Sequence, residues 1–296
     1  MASPLFTGSG VAIVTPFGAD GKVSFTKLAE LIDFQIDNGT SAIIICGTTG
    51  ESATQTLEEH ADTVSFCIKH VNKRVPVIAG GGSNDTMAAV QLSQHAEHEG
   101  ADGLLIVTPY YNKATQNGLI KHYEHIADRV NVPIILYNVP VRTGIGFDVG
   151  TYARLAKHPN IQGVKEAGGN LELVSKTLIA AAGEEFYIWS GDDALAVPMM
   201  SLGAKGVISV LANILPGAVA ELCTAALNGD FVKARELHLK YFPLISAMFY
   251  EVNPIPVKTA LNLMGRNVGD LRLPLCDMEP ANLEKLKVQL KAAGLI

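Results

Sequence analysis

The feature that most constrains this 296-residue chain is a repeat of short apolar segments, each followed by a longer segment with helical spacing. The apolar segments are rich in β-branched residues and do not alternate with polar ones, as is typical of parallel strands covered on both faces. Their starts lie about 20 to 35 residues apart, roughly the size of one βα unit. They occupy residues 10–15, 41–46, 75–79, 103–107, 132–137, 161–165, 186–190 and 206–210.

The segments between these runs are predicted to be amphipathic helices. The first places Leu28, Leu31, Ile32 and Gln35 near one face. Suitable N-cap residues are Ser24, Thr56 and Asn84. Eight strands alternating with helices predict a closed (β/α)8 TIM barrel in the α/β class, although an open doubly wound sheet gives the same local pattern.

The strand pattern stops after about residue 230. Helical spacing continues over residues 231–252, 256–265 and 279–293. We therefore predict two domains, a catalytic barrel at residues 1–230 and a C-terminal helical domain at residues 231–296.

Charge and cysteine content favour small-molecule partners and the cytoplasm. The net charge is −6 with no basic stripe, so nucleic acid and anionic membrane are not expected partners. Four separated cysteines with no CxxC pair indicate neither a disulfide framework nor a zinc site. The N-terminus lacks the pattern of a signal peptide. The apolar residues 206–227 include Asn213, Pro216 and Glu221, which favours a strand, loop and helix over a membrane span.

Reactive side chains are expected at the carboxyl ends of the barrel strands. Lys165 closes the sixth apolar segment, where desolvation favours the free amine that attacks carbonyl groups. The competing interpretation is a lysine that reaches solvent or pairs with Glu166. Tyr137, at the end of the neighbouring strand, favours catalysis because a phenol can carry the protons of imine chemistry.

Two further features suit an anionic substrate. The loop Gly47-Thr48-Thr49-Gly50 can offer backbone N–H groups and hydroxyls to a carboxylate or phosphate, or it can be a simple tight turn. Arg142, just beyond strand 5, can hold a carboxylate bidentately. Tyr110-Tyr111 is more typical of packing or an interface than of chemistry.

No metal site is expected. Asp192-Asp193 lacks an accompanying set of ligands, and the pairs His95/His98 and His122/His125 fall on helices outside the barrel.

Several ordered motifs resemble the dihydrodipicolinate synthase and N-acetylneuraminate lyase superfamily over essentially the whole chain. They are Gly47-Thr48-Thr49-Gly50-Glu51, Val107-Thr108-Pro109-Tyr110-Tyr111, Leu136-Tyr137-Asn138-Val139-Pro140, Gly163-Val164-Lys165-Glu166-Ala167 and Asn253-Pro254-Ile255-Pro256-Val257-Lys258. The resemblance implies a (β/α)8 barrel with a C-terminal helical domain, assembled as a homotetramer of two tight dimers.

The resemblance also assigns roles. Lys165 is expected to form an imine with pyruvate, and Tyr137 to donate and accept protons beside it. Thr48 is expected to link Tyr137 to Tyr111, which reaches in from the neighbouring subunit.

Three more positions are expected to bind substrate. Thr49 is expected to hold the pyruvate carboxylate, with the Ile208 backbone opposite, and Arg142 to bind the carboxylate of the second substrate. The Thr-Thr loop and Arg142 favour a synthase over a sialic acid lyase. The implied reaction condenses pyruvate with L-aspartate 4-semialdehyde to 4-hydroxy-tetrahydrodipicolinate, on the way to diaminopimelate and lysine, with no cofactor because the lysine imine is the electron sink.

One departure concerns feedback inhibition by lysine. Ser52, His60, Asn84 and Tyr110 match the regulatory site of inhibited members, but Leu57 and Ala88 replace an expected histidine and glutamate. Because Ala88 lacks the carboxylate of that glutamate, the amine of a bound lysine would lose a charge-assisted hydrogen bond worth about 1.5–3 kcal/mol.

Three other functions compete with this one. The first is a pyruvate aldolase that cleaves sialic acid or a keto-sugar acid. The second is a metabolite-binding barrel without turnover, which the intact reactive residues disfavour. The third is a phosphate-binding isomerase, which Asp192 and Asp193 disfavour because they place negative charge where a phosphate would bind.

Overall fold

The computed structural model describes residues 3–296 and closes eight parallel strands into a barrel. Each strand pairs with the next in the chain, and the last strand pairs with the first. The strands are β1 (Gly8–Ala12), β2 (Ala42–Ile45), β3 (Val77–Gly80), β4 (Gly103–Val107), β5 (Ile134–Asn138), β6 (Ile161–Glu166), β7 (Tyr187–Ser190) and β8 (Gly206–Ser209). The predicted TIM barrel is confirmed, and the open sheet is wrong.

Helices surround the barrel and continue past its last strand. They are α1 (Phe25–Asp37), α2 (Leu57–Val71), α3 (Thr86–Glu99), α4 (Gln116–Ala127), α5 (Pro140–Thr143), α6 (Val149–Leu155), α7 (Leu171–Ala180), α8 (Ala196–Ser201), α9 (Pro216–Leu227), α10 (Phe231–Ala247), α11 (Ile255–Leu263) and α12 (Pro280–Ala292). Helix α10 packs on α8 and α9 of the barrel. The division into two domains at residue 230 stays a prediction.

Sequence and structure differ mainly at element ends. Thr56 caps α2 through a reciprocal capping box with Glu59, as its position predicted. Asn84 is a wrong prediction, because the Asp85 carboxylate accepts the Met87 N–H at 2.8 Å and caps α3. Residues 206–227 form β8, a short 3₁₀ turn and α9, and no helix within residues 3–296 is long and apolar enough to cross a membrane.

The barrel separates two hydrophobic cores. The larger one lies between the outer faces of the strands and the helices. The smaller one fills the barrel, where Phe6 stacks on Trp189 with ring centroids 5.2 Å apart. Trp189 also donates its indole N–H to the Phe6 carbonyl at 3.2 Å. Phe6 precedes β1, and Trp189 is the register partner of Lys165 near the end of β7, so this pair packs the barrel interior below the carboxyl ends of the strands, where the polar residues gather.

A buried ion pair fastens the C-terminal helices to the loop after β2. Lys258 of α11 donates to the Glu51 carboxylate at 2.7 Å, and the two side chains are 1% and 0% exposed. Lys258 also donates to the Asp270 carbonyl at 2.8 Å, and the Arg272 backbone N–H donates to Glu51 at 3.0 Å. Each charge is thus surrounded by polar partners, which a buried pair requires.

We expect Lys258→Met to lower the free energy of unfolding by about 3–5 kcal/mol, because it leaves the buried Glu51 charge uncompensated. Equilibrium urea unfolding at neutral pH measures this. Lys233→Met is the matched control, because the Lys233–Glu221 pair is exposed and should contribute under about 1 kcal/mol. Equal losses in the two variants would contradict the prediction.

Candidate active site

Lys165 and Tyr137 lie side by side at the carboxyl ends of β6 and β5. The two residues are register partners in the parallel ladder, and the Lys165 Nζ lies 4.2 Å from the centroid of the Tyr137 ring. Lys165 is 5% exposed and forms no ion pair within residues 3–296. The alternative pairing with Glu166 is therefore not observed. The amine is held in the barrel against a phenol ring.

Gly191 makes the space for this lysine, a role that the sequence analysis missed. A Cβ added at Gly191 would lie 3.0 Å from Lys165 Cγ and 3.1 Å from its Cε. Such a contact is tighter than side chains normally tolerate, so the residue after β7 has to be small. Its only signal in the sequence is its place between the strand end Ser190 and Asp192-Asp193.

A cleft of about 490 Å³ opens beside Tyr137, and the residues that line it include neither the buried Lys165 nor the buried Thr49. Thr48, Tyr137 and Arg142 line it together with residues from the loops after β2, β4 and β5. This volume falls in the usual range for small-molecule sites. The structure thus brings three of the predicted site residues to one opening.

Asn253 connects the next two predicted residues. Its amide donates to the Thr49 hydroxyl oxygen at 2.9 Å, and its carbonyl accepts from the Arg142 guanidinium at 3.0 Å. Because the Thr49 oxygen accepts this bond, the hydroxyl proton of Thr49 stays free to donate to a ligand. Asn253 belongs to one of the sequence motifs. Its contact with Thr49 had no local signal, because the two residues lie 204 positions apart in the chain.

Tyr111 does not join Thr48 and Tyr137 within one chain. Its side chain is 91% exposed, on the loop after β4. Its backbone has φ +68°, and Lys113 on the same loop and Cys46 and Glu51 after β2 also have positive φ. Such conformations are costly for residues other than glycine and concentrate in functional loops.

Ile208 is buried in the barrel and packs in the same apolar cluster as Tyr137. The turn that follows it is held by Asp193, whose carboxylate accepts the N–H groups of Val210 and Leu211 at 2.9 and 3.0 Å. Burial raises the pKa of Asp193. These N–H groups are where a phosphate would bind in an isomerase barrel, so a protein carboxylate already fills that position.

The residues that depart from the lysine-inhibited pattern face the same cleft. Leu57 and Ala88 line it, beside Ser52, His60 and Tyr110. The cleft wall is therefore apolar where inhibited members were expected to carry a histidine and a glutamate.

The histidine pairs lie on the outer helices α3 and α4. His122 Nδ1 pairs with the Thr86 hydroxyl at 2.9 Å, and burial lowers the pKa of His122 to about 4. In the part of the chain that the structure describes, no three histidine, cysteine or carboxylate side chains converge as metal ligands do.

Comparison with known proteins agrees with this architecture. A sequence model of the dihydrodipicolinate synthetase family matches residues 5–293, nearly the whole chain. The chain belongs to this family. The 4-hydroxy-tetrahydrodipicolinate synthase of Geobacter metallireducens is 57% identical over 292 residues, which cover 99% of this chain and 100% of that one.

Solved structures of family members share the fold closely. The dihydrodipicolinate synthase of Aquifex aeolicus is 49% identical, with a TM-score of 0.96 over 98% of this chain and 99% of that one. The Acinetobacter baumannii enzyme, which was crystallised with pyruvate, is 46% identical, with a TM-score of 0.95 and the same coverage. Membership in the family therefore rests on both sequence and fold.

Proposed function

We propose that this chain is a 4-hydroxy-tetrahydrodipicolinate synthase that condenses pyruvate with L-aspartate 4-semialdehyde. The observation that carries the proposal is the Lys165 amine held 4.2 Å from the Tyr137 ring at the carboxyl ends of adjacent strands. Support comes from the 57% identical relative that bears this name and from the family member crystallised with pyruvate.

The reaction begins with an imine. The Lys165 amine adds to C2 of pyruvate, and loss of water from the carbinolamine gives the imine. Loss of a proton from C3 gives an enamine, whose C3 bonds to the aldehyde carbon of the second substrate. The aldehyde oxygen takes up a proton and becomes the 4-hydroxyl group. The amino group of the semialdehyde portion then attacks the imine carbon, which closes the ring and releases the Lys165 amine.

Tyr137, Thr48 and Tyr111 carry the protons of these steps. The centroid of the Tyr137 ring lies 4.2 Å from the amine, and Tyr137 and Thr48 line the same cleft. Tyr111 is exposed, so in this proposal it enters the cleft of a neighbouring subunit. The imine itself is the electron sink, so no cofactor takes part.

Thr49 and Arg142 bind the two carboxylates. In this proposal the Thr49 hydroxyl, positioned by Asn253, donates to the pyruvate carboxylate, and the Ile208 backbone contacts pyruvate from the opposite side. Arg142 lines the mouth of the cleft and holds the semialdehyde carboxylate. A guanidinium can grip a carboxylate at two points, which makes Arg142 the residue that selects the second substrate.

Tyr111 in trans requires a dimer. Leu57, Tyr111 and Val141 are large apolar or aromatic side chains that lie exposed around the cleft. Exposed patches of this kind mark interfaces, and a two-fold axis would bring the same patch of both subunits together. The proposed assembly is a tight dimer, with two dimers in a homotetramer, and the proposed compartment is the cytoplasm.

Reduction with borohydride in the presence of pyruvate should add one reduced pyruvate per chain, on Lys165, because hydride traps the imine as a stable amine. Intact mass and peptide mapping measure this. Lys165→Ala should abolish the label, whereas the control Lys113→Ala, at another lysine near α5, should keep it. A label on a different lysine would sink the proposed mechanism.

Tyr137→Phe, Thr48→Val and Tyr111→Phe should each lower kcat by about 10²–10⁴-fold, the range for loss of a positioned proton-transfer group. Each change deletes or replaces one hydroxyl, so thermal unfolding should change little. If Tyr111 acts in trans, mixed dimers of Tyr111→Phe and Lys165→Ala subunits should regain activity. Mixed dimers verified by mass that stay inactive would exclude the shared site.

Arg142→Ala should raise the KM for the semialdehyde and lower kcat/KM by about 10- to 150-fold, which corresponds to a charge-assisted contact of about 1.5–3 kcal/mol. Pyruvate labelling of Lys165 should persist. Arg142→Lys keeps the positive charge but should recover little of the lost kcat/KM, because an ammonium cannot hold a carboxylate at two points as the planar guanidinium does. Release of pyruvate from N-acetylneuraminate or a keto-sugar acid, without condensation on the semialdehyde, would instead show a lyase.

A further inference from the structure

A second pair of polar residues lies directly behind Lys165 and Tyr137. The next residues along the two strands, Asn138 and Glu166, are also register partners. Because side chains alternate along a strand, this second pair points out of the barrel toward the helices. Both residues are buried, Asn138 at 1% and Glu166 at 4% exposure.

The Glu166 carboxylate is fully engaged. The Asn138 amide nitrogen lies 2.8 and 2.9 Å from its two oxygens, and Tyr152 of α6 donates its hydroxyl at 2.6 Å. The backbone N–H of Gly168 donates at 2.7 Å. Burial raises the pKa of Glu166. Three donors on three segments therefore converge on one carboxylate, although the proposed chemistry does not use it.

The loop after β6 is shaped around this contact. A Cβ added at Gly168 would lie 2.7 Å from the Glu166 carboxylate and 3.3 Å from the Asn138 amide nitrogen. The Ala167 N–H donates to the Asn138 carbonyl at 2.9 Å, which adds a backbone tie between the same two strand ends. The ends of β5 and β6 are thus joined by side-chain and backbone bonds together.

We propose that Asn138 and Glu166 form a cross-strand clamp that fixes the Lys165 amine relative to the Tyr137 hydroxyl. The inference rests on the proposed function and makes both residues positioning residues. Asn138 directly follows Tyr137, and Glu166 directly follows Lys165. A shift of one strand end relative to the other would therefore move the Lys165 amine relative to the Tyr137 phenol. A misplacement of about 1 Å can cost about 10²-fold in rate.

The clamp makes a specific prediction for Glu166→Gln. The new amide nitrogen would either face a donor or make the Asn138 amide rotate, and rotation would turn the Asn138 nitrogen toward the buried position where its oxygen now has no partner. We expect kcat to fall about 10- to 100-fold, with the pyruvate KM changed by less than about two-fold and Lys165 still labelled by pyruvate and borohydride. Asn138→Ala, which leaves the carboxylate two donors, is the second variant and should show the same split.

Tyr123→Phe is the matched control. Tyr123 on α4 is buried and donates one hydrogen bond to the Ile106 carbonyl of β4 at 3.1 Å, so its loss weakens the outer layer without untying β5 from β6. Melting temperatures of all variants show whether they are comparably destabilised. A kcat within about two-fold of the parent in Glu166→Gln and Asn138→Ala, or an equal fall in Tyr123→Phe, would overturn the clamp.

Measurements on the unmodified protein distinguish a failure of the clamp from a failure of the proposed function. Absence of pyruvate labelling and of condensation in the parent would remove the function itself. Labelling and turnover in the parent, with clamp variants of unchanged kcat, would remove only the clamp.

Discussion

Alternation of side chains along a parallel strand is the constraint on which this molecule depends. In a closed barrel it sends one residue into the interior and the next into the layer under the helices. At the carboxyl ends of β5 and β6 this places Tyr137 and Lys165 inside and Asn138 and Glu166 outside. The proposed reactive groups and the proposed clamp residues are therefore sequence neighbours that occupy opposite faces of one sheet.

The rest of the site depends on contacts between distant parts of the chain. Asn253 reaches Thr49 and Arg142, and Lys258 reaches Glu51 on the same loop after β2. The barrel supplies the proposed reactive groups, whereas the segment that begins at Asn253 holds the loops after β2 and β5 in place. A barrel alone would present the lysine without an ordered mouth.

Much of the fold follows from local patterns in the sequence. The eight apolar runs predicted the strands to within two residues at most ends, because burial on both faces leaves a continuous apolar signal. The predicted N-cap of α3 was Asn84 and the observed one is Asp85, because asparagine and aspartate both suit an N-cap position. Lys165 and Tyr137 could be found from their strand-end positions, but Asn253 and Lys258 had no local signal of their partners.

The attachment at Glu51 also bears on how such proteins can be recombined. The loop after β2 and the C-terminal segment meet at a buried charge pair as well as at the bond from Asn253 to Thr49, and neither half of the charge pair is exchangeable alone. A chimera that takes its barrel from one relative and its last helices from another therefore has to keep the acid and the amine of this pair together, whichever parents supply them. Two short segments that lie far apart in the sequence therefore have to match each other.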